Sequence, residues 1–281
     1  MRTIQKIRIT DDAYPPTLRT IHQPPKILYV WGATEALHHS PAVAIVGTRR
    51  ATRYGLETAR ILAPESSGAG IAVVSGLALG IDAAAHAGAL EGNAPTVAVL
   101  GSGINQILRS NERLAEEIVA RGGAVISEFE PDMPAEKWTF PQRNRIVAGL
   151  TQATIVVEAP EKSGALITAR LAMDANRDVG AVPGEITSIV ARGSNQLLKD
   201  GAALIRSLDD IRELLGMPLS APTLDNLGES DDNLLRHLEI PLDAETLALQ
   251  TRIPAAELFA TLTRLELAGL VKNTNGIFHK I

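Results

Sequence analysis

The chain has no cysteine. Disulfides, cysteine-ligated zinc and iron–sulfur clusters are therefore excluded, which fits a reducing compartment. Aromatic residues are only 3% of the 281, so a core has to be assembled from Ala, Val, Leu and Ile at close range. No stretch approaches the ~18 uncharged apolar residues of a membrane span. The opening MRTIQKIRITDD has no apolar run of signal-peptide length. The expectation is a cytoplasmic protein with no membrane partner. Positive charge is not in excess: 27 Lys and Arg stand against 32 Asp and Glu, a formal net charge of −5. Such a chain cannot coat nucleic acid through bulk charge. Screening limits charges to a reach of about 8–10 Å, however, so a local basic groove is compatible with an acidic whole.

What is present is a repeated pattern. Residues 1–40 are interrupted by Pro15-Pro16 and Pro24-Pro25 and read as an irregular arm packed on the next domain. From Ala42 onward, short β-branched apolar runs end in Gly or Ser and are followed by helical stretches. The runs are 43–47, 71–76, 96–103, 124–128, 154–159, 178–184 and 202–205. Each is apolar on both faces, as a strand buried between two helical layers must be. The prediction is an α/β fold over 41–216, an extended Rossmann-like, doubly wound and mostly parallel sheet. Residues 217–230 read as a linker. Residues 231–281 give three helical segments and a hairpin around Asn275-Gly276, the order of a winged helix.

Ligands of open α/β sheets bind outside the carboxyl ends of the strands. Here those ends read Gly47-Thr48-Arg49, Ser75-Gly76-Leu77, Gly101-Ser102-Gly103, Ser127-Glu128 and Lys162-Ser163-Gly164. Glycine permits close backbone approach, and helix N-termini attract anions. The edge is suited to phosphate. It lacks the G-x-x-x-x-G-K-[ST] of a nucleoside triphosphate loop, and GSGINQ lacks the third glycine of a dinucleotide fingerprint. KWTFPQRNR, residues 137–145, adds three cations and a ring on the same edge, with RNRIVAGL expected to start a helix. A ring beside guanidiniums and glycine amides suits single-stranded nucleic acid. The competing reading makes Phe140 a core plug and pairs Arg143 with Glu128 or Glu158. His86 reads as a packed core histidine, and Ser75 and Asp82 as loop-shaping groups. The six histidines show neither metal-ligand spacing nor a Ser/His/Asp order, so no metal, cofactor or catalytic set is expected.

The motifs VAIVGTR, SGLALGIDAAAHAGAL, VLGSGI, SEFEPDMPAEKWTFPQRNRIVAGL, VVEAPEKSGALITARLA, AVPG and GSNQLLKDGA occur in this order. Over about residues 12–216 the chain resembles the DNA-processing protein A (DprA/Smf) family. The resemblance implies a homodimer with no catalytic activity. Such a protein binds and protects incoming single-stranded DNA and loads the RecA recombinase during natural transformation. It places the DNA pocket on Gly47, Thr48, Arg49, Phe140, Arg143, Asn144 and Arg145, with Gly101, Ser102, Gly103, Ser163 and Gly164 as its rim; Lys162 joins them from the strand-end reading. Many members carry a helical N-terminal domain for which some forty residues are too few. The dimer contact is expected around 193–216, where NQLL and LDDIRELL offer Leu197 and Leu208. Residues 226–281 hold five Lys and Arg against eight Asp and Glu, a poor duplex reader and a better protein contact.

Two other functions compete. A Rossmann-like hydrolase of nucleotide N-glycosidic bonds would need a Glu on the helix after its glycine loop, and PEKSGALITARLA has none there. A transcription regulator would need a more basic winged helix.

Overall fold

A computed structural model of the chain describes residues 2–219, 229–238, 240–267, 270–274 and 276–280. The chain divides into two compact units, Met1–Met217 and Pro218–Ile281.

The first unit runs β1 (Ile4–Arg8), α1 (Pro16–Arg19), β2 (Ile27–Gly32), β3 (Ala42–Val46), α2 (Arg53–Gly68), β4 (Ala72–Ser75), α3 (Ile81–Ala89), β5 (Thr96–Val99), α4 (Arg109–Ala120), β6 (Ala124–Ser127), α5 (Thr139–Gly149), β7 (Ala153–Val156), α6 (Gly164–Asp174), β8 (Asp178–Ala181), α7 (Arg192–Lys199), β9 (Ala203–Leu204) and α8 (Leu208–Leu214). Every residue of β3 to β7 is buried. That is the consequence of unbroken apolar runs: both faces of each strand must be covered. On β3, Val43 and Ile45 pack under α2 and α3, while Ala44 and Val46 face the opposite layer of α5 and α6. Alanines on those helices, Ala59, Ala63, Ala165 and Ala169 among them, bring the layers close.

The nine strands lie in the order β1-β2-β6-β5-β4-β3-β7-β8-β9. From β6 to β9 all neighbours are parallel. The chain fills the sheet outward from β3 through β4 and β5 to β6, then crosses back to lay β7 on the other flank of β3. The order therefore reverses between β3 and β7, which makes a crevice at their carboxyl ends.

The first forty residues differ from the expected irregular arm. They contribute two strands to the same sheet, β1 antiparallel to β2 and β2 antiparallel to β6, with Val30 opposite Ile126. Between them, Tyr14, Leu18 and Ile21 enter the core, and Tyr14 donates its hydroxyl to Pro25 O at 2.8 Å.

The second unit runs α9 (Glu229–His237), β10 (Leu242–Asp243), α10 (Ala244–Thr251), α11 (Ala255–Leu267), β11 (Val271–Thr274) and β12 (Ile277–Lys280). Leu234, Leu247, Leu258, Leu262 and Phe278 form its core. The three helices and hairpin of a winged helix are there, and β10 adds a short strand against β12. Gly276 supplies the positive φ, +87°, of the hairpin turn; Asn275 lies outside the described residues. The helix α9 starts at Glu229, so the last two residues read as linker are helical; residues 220–228 lie outside those described.

Candidate nucleic-acid interface

At the β3–β7 crevice lies a pocket of about 360 Å³. Four strand ends build it. Gly47 and Arg49 follow β3, Gly76 and Asp82 follow β4, Lys137 to Asn144 follow β6, and Gly164 and Thr168 belong to α6 after β7. The N-terminus of α6, capped by Ser163 Oγ accepting from Ala165 N at 3.2 Å, adds its positive dipole end. Three cations, Arg49, Lys137 and Arg143, face one carboxylate, Asp82.

The helix α5 begins at Thr139, a turn earlier than RNRIVAGL suggested. Thr139 Oγ1 donates to Gly101 O and pins this start to the β5 loop. The shift decides where each side chain points. Phe140 falls in the first turn, half-buried, with its ring against Gly101; a Cβ at Gly101 would meet Phe140 Cδ1 at 2.8 Å. The Arg49 guanidinium lies over the Phe140 ring, 4.8 Å from its centroid. One face of the ring is thus already covered, and the ring serves as a seat for an exposed cation.

Arg143 is buried. It donates through Nη1 to Gly76 O at 2.7 Å and to Val99 O, and through Nε to Asn144 Oδ1 at 3.3 Å. Gly76 makes room for it, since a Cβ there would come within 2.5 Å of Arg143 Nη2. Burial pulls its pKa down to about 10, with Asp82 opposing that shift, so it stays a cation at neutral pH. Burial likewise raises the pKa of Asp82 against the pull of Arg143, and its Oδ2 accepts from Gly76 N at 3.2 Å. Asn144 Nδ2 donates to Gly164 O at 3.1 Å and ties α5 to α6.

Five of the expected residues line neither this pocket nor the slot beside it: Ser163, which caps α6, and four more. Arg145 turns to Glu128, 2.5 Å away, with both side chains largely buried; its charge is spent inside the protein. Gly103 donates its N–H to Met133 O at 2.8 Å, and a Cβ there would strike the backbone of Glu130 and Pro131. Its lack of a side chain serves chain packing. Thr48 is buried, donating its N–H to Glu158 O and accepting from Arg50 N through Oγ1, so it shapes the turn that carries Arg49. Lys162 is exposed and does not line the pocket. Glu158 pairs with neither arginine; its carboxylate accepts from Thr52 N and Thr52 Oγ1. Gly101 and Ser102 line an adjoining slot. Lys137 and Gly76 also line the main pocket; both lie in stretches that the sequence reading set on this edge, KWTFPQRNR and Ser75-Gly76-Leu77, though neither was among the named DNA-contacting residues. His86 is fully buried. Thr96 Oγ1 donates to Val73 O, leaving its oxygen to accept from His86 Nδ1 at 2.7 Å.

The family described as DNA recombination-mediator protein A matches residues 5–216, and the DprA winged helix domain matches 218–276. The chain is 37% identical over 276 residues to Protein Smf of Escherichia coli, covering 94% of this chain and 74% of that one. It is 39% identical over 213 residues to the DNA processing protein DprA of Bacillus subtilis, covering 75% and 71%. Among solved structures, DNA processing protein A of Streptococcus pneumoniae superposes with a TM-score of 0.71 at 37% identity, over 75% of this chain and 74% of that one. The Helicobacter pylori protein, solved for its single-stranded DNA binding mode, gives 0.68 at 30%, over 76% and 98%. With both of its units matched, the chain belongs to the DNA processing protein A family.

Proposed function

We propose that the β3–β7 pocket binds single-stranded DNA, and that the protein is a carrier of such strands and not an enzyme. The observation that carries the reading is the exposed Arg49 guanidinium seated on Phe140 above a buried cation, Arg143. A flat cation of this kind can hold phosphate or stack on a base. The α6 N-terminus and Lys137 complete an anion site on an otherwise acidic protein. The single-stranded DNA binding of the similar Helicobacter pylori protein supports the same reading. Protection of incoming strands, their transfer to a recombinase of the RecA type during natural transformation, a homodimer and a cytoplasmic location belong to this reading. No helix among the described residues is long and apolar enough to cross a membrane.

The hydrolase alternative has one carboxylate to work with in this pocket, Asp82, and its Oδ2 holds the Gly76 N–H. In residues 226–281, five cations against eight acids favour a protein contact over duplex DNA.

The test is fluorescence anisotropy of a labelled oligo-dT across salt concentrations. With about four phosphates held, log K falls with log salt at a slope of roughly −3. Arg49→Ala and Lys137→Ala each weaken binding and flatten the slope by about 0.7. Absent binding, or binding indifferent to both substitutions, would overturn the reading and return the small-nucleotide enzyme to the front.

A further inference from the structure

The helix α4 covers the sheet with Ala115 and Ile118, both fully buried against Ala98 and Val125. One turn before them, on the same face, stands Asn111, 4% exposed. An apolar stripe with this spacing calls for an apolar residue there, and asparagine is a weak helix former. Its amide is engaged at both ends. Ser110 Oγ donates to Oδ1 at 3.1 Å, and Nδ2 donates to the carbonyl of Leu77 at 2.6 Å. Leu77 belongs to residues 76–80, the loop between β4 and α3. It is buried and takes φ +52°, a left-handed conformation that bulky residues avoid unless the surroundings hold them in it.

This loop runs between the two arginines of the cationic pocket. At one end, Gly76 O accepts from Arg143 Nη1 and Gly76 N donates to Asp82 Oδ2. At the other, Gly80 lies against the backbone that carries Arg49. A Cβ there would strike Thr48 O and the Arg49 carbonyl group. Ile81 N then donates to Thr48 O at 3.3 Å.

We propose that Asn111 is a positioning residue for DNA binding. From α4, outside the cationic pocket, it locks Leu77 in the left-handed conformation and so holds residues 76–80, and through them the Arg49 backbone, in the binding arrangement. The inference rests on the single-stranded DNA reading and adds the group that pre-organises it. A loop released at Leu77 has a right-handed state to relax into. Each strand that binds must then recover the competent state, and affinity falls by the fraction of chains that hold it.

The experiment measures anisotropy of labelled oligo-dT across salt concentrations for variants of the full chain, with melting temperatures alongside. Asn111→Leu weakens binding roughly ten-fold, the preference of a bulky residue for the right-handed state. Its salt slope keeps the wild-type value, because a bound strand still meets every phosphate contact; loss of a contact residue such as Arg49 flattens the slope. The decisive variant adds Leu77→Gly to Asn111→Leu. Glycine takes positive φ about as readily as negative, so affinity returns to within about two-fold of the wild type. The same change empties a buried leucine site and lowers the melting temperature further. Binding and stability then move in opposite directions, which a purely structural asparagine would not produce. Asn111→Ser, too short to reach the carbonyl, repeats the comparison where the leucine variant melts too early to assay. Wild-type affinity in the Asn111 variants, a flattened slope, or no recovery on adding Leu77→Gly overturns the proposal. Failure of the underlying reading looks different: the wild type itself does not bind oligo-dT, or binding ignores Arg49→Ala.

Discussion

At the scale of single residues, two arginines 94 positions apart divide one task. Arg49 is exposed, sits on the Phe140 ring and makes no side-chain hydrogen bond among the described residues, whereas Arg143 satisfies the carbonyls of Gly76 and Val99. Removing the second leaves buried acceptors bare, at about 1–3 kcal/mol each. Arg143→Ala should therefore lower the melting temperature by several degrees while Arg49→Ala leaves it unchanged; calorimetry on both variants checks this, and equal melting would remove the distinction. His86 makes a pH prediction. Burial holds its pKa down to about 3, from an ordinary 6.5. The unfolded chain then takes up a proton between pH 6.5 and 3 that the folded chain refuses. Stability from this group is complete above pH 6.5 and declines toward pH 3, by about 1.4 kcal/mol per unit. Asp82 and Glu128, both raised by burial, act in the opposite sense at the acid end. Urea unfolding of wild type and His86→Gln at pH 7 and pH 5 isolates the histidine. The variant should lose less on acidification, and parallel losses would exclude His86 as the source.

At the scale of elements, the strands that bear the site were legible because each is an unbroken apolar run, and the glycines that end them are where the pocket lies. Gly47, Arg49, Phe140 and Gly164 could be gathered from that alone. Arginine directions could not. They depend on α5 starting at Thr139, a choice made by the Thr139–Gly101 hydrogen bond across the sheet edge. Two residues, about half a helical turn, separate the arginine that lines the pocket from the one that pairs with Glu128. The strands β1 and β2 were hidden for a related reason. Their burial alternates or is partial, proline pairs interrupt the region, and β2 finds its partner β6 far along the chain. The region expected to pair two copies also looks different in three dimensions. Leu197 and Leu208 pack partly against the protein's own core, so they are poor probes of a dimer. Leu204, 46% exposed on the edge strand β9, is the better one. If the α7–α8 region pairs two copies, Leu204→Asp should halve the mass seen by light scattering and weaken DNA binding through lost effective concentration. An unchanged mass would move the contact elsewhere.

At the scale of the whole molecule, the pairing of β2 with β6 and of β3 with β7 sets the order in which the chain can fold as it is made. The first forty residues cannot complete the sheet until Ser127 has left the ribosome, and β3 stays half-covered until Val156 follows. At about 5–20 residues per second, β2 waits on the order of 5–20 s with its edge open. The all-apolar β3 waits longest, and it carries the loop with Arg49. Nascent chains of this protein therefore expose their most aggregation-prone strand until the ligand pocket itself is nearly built.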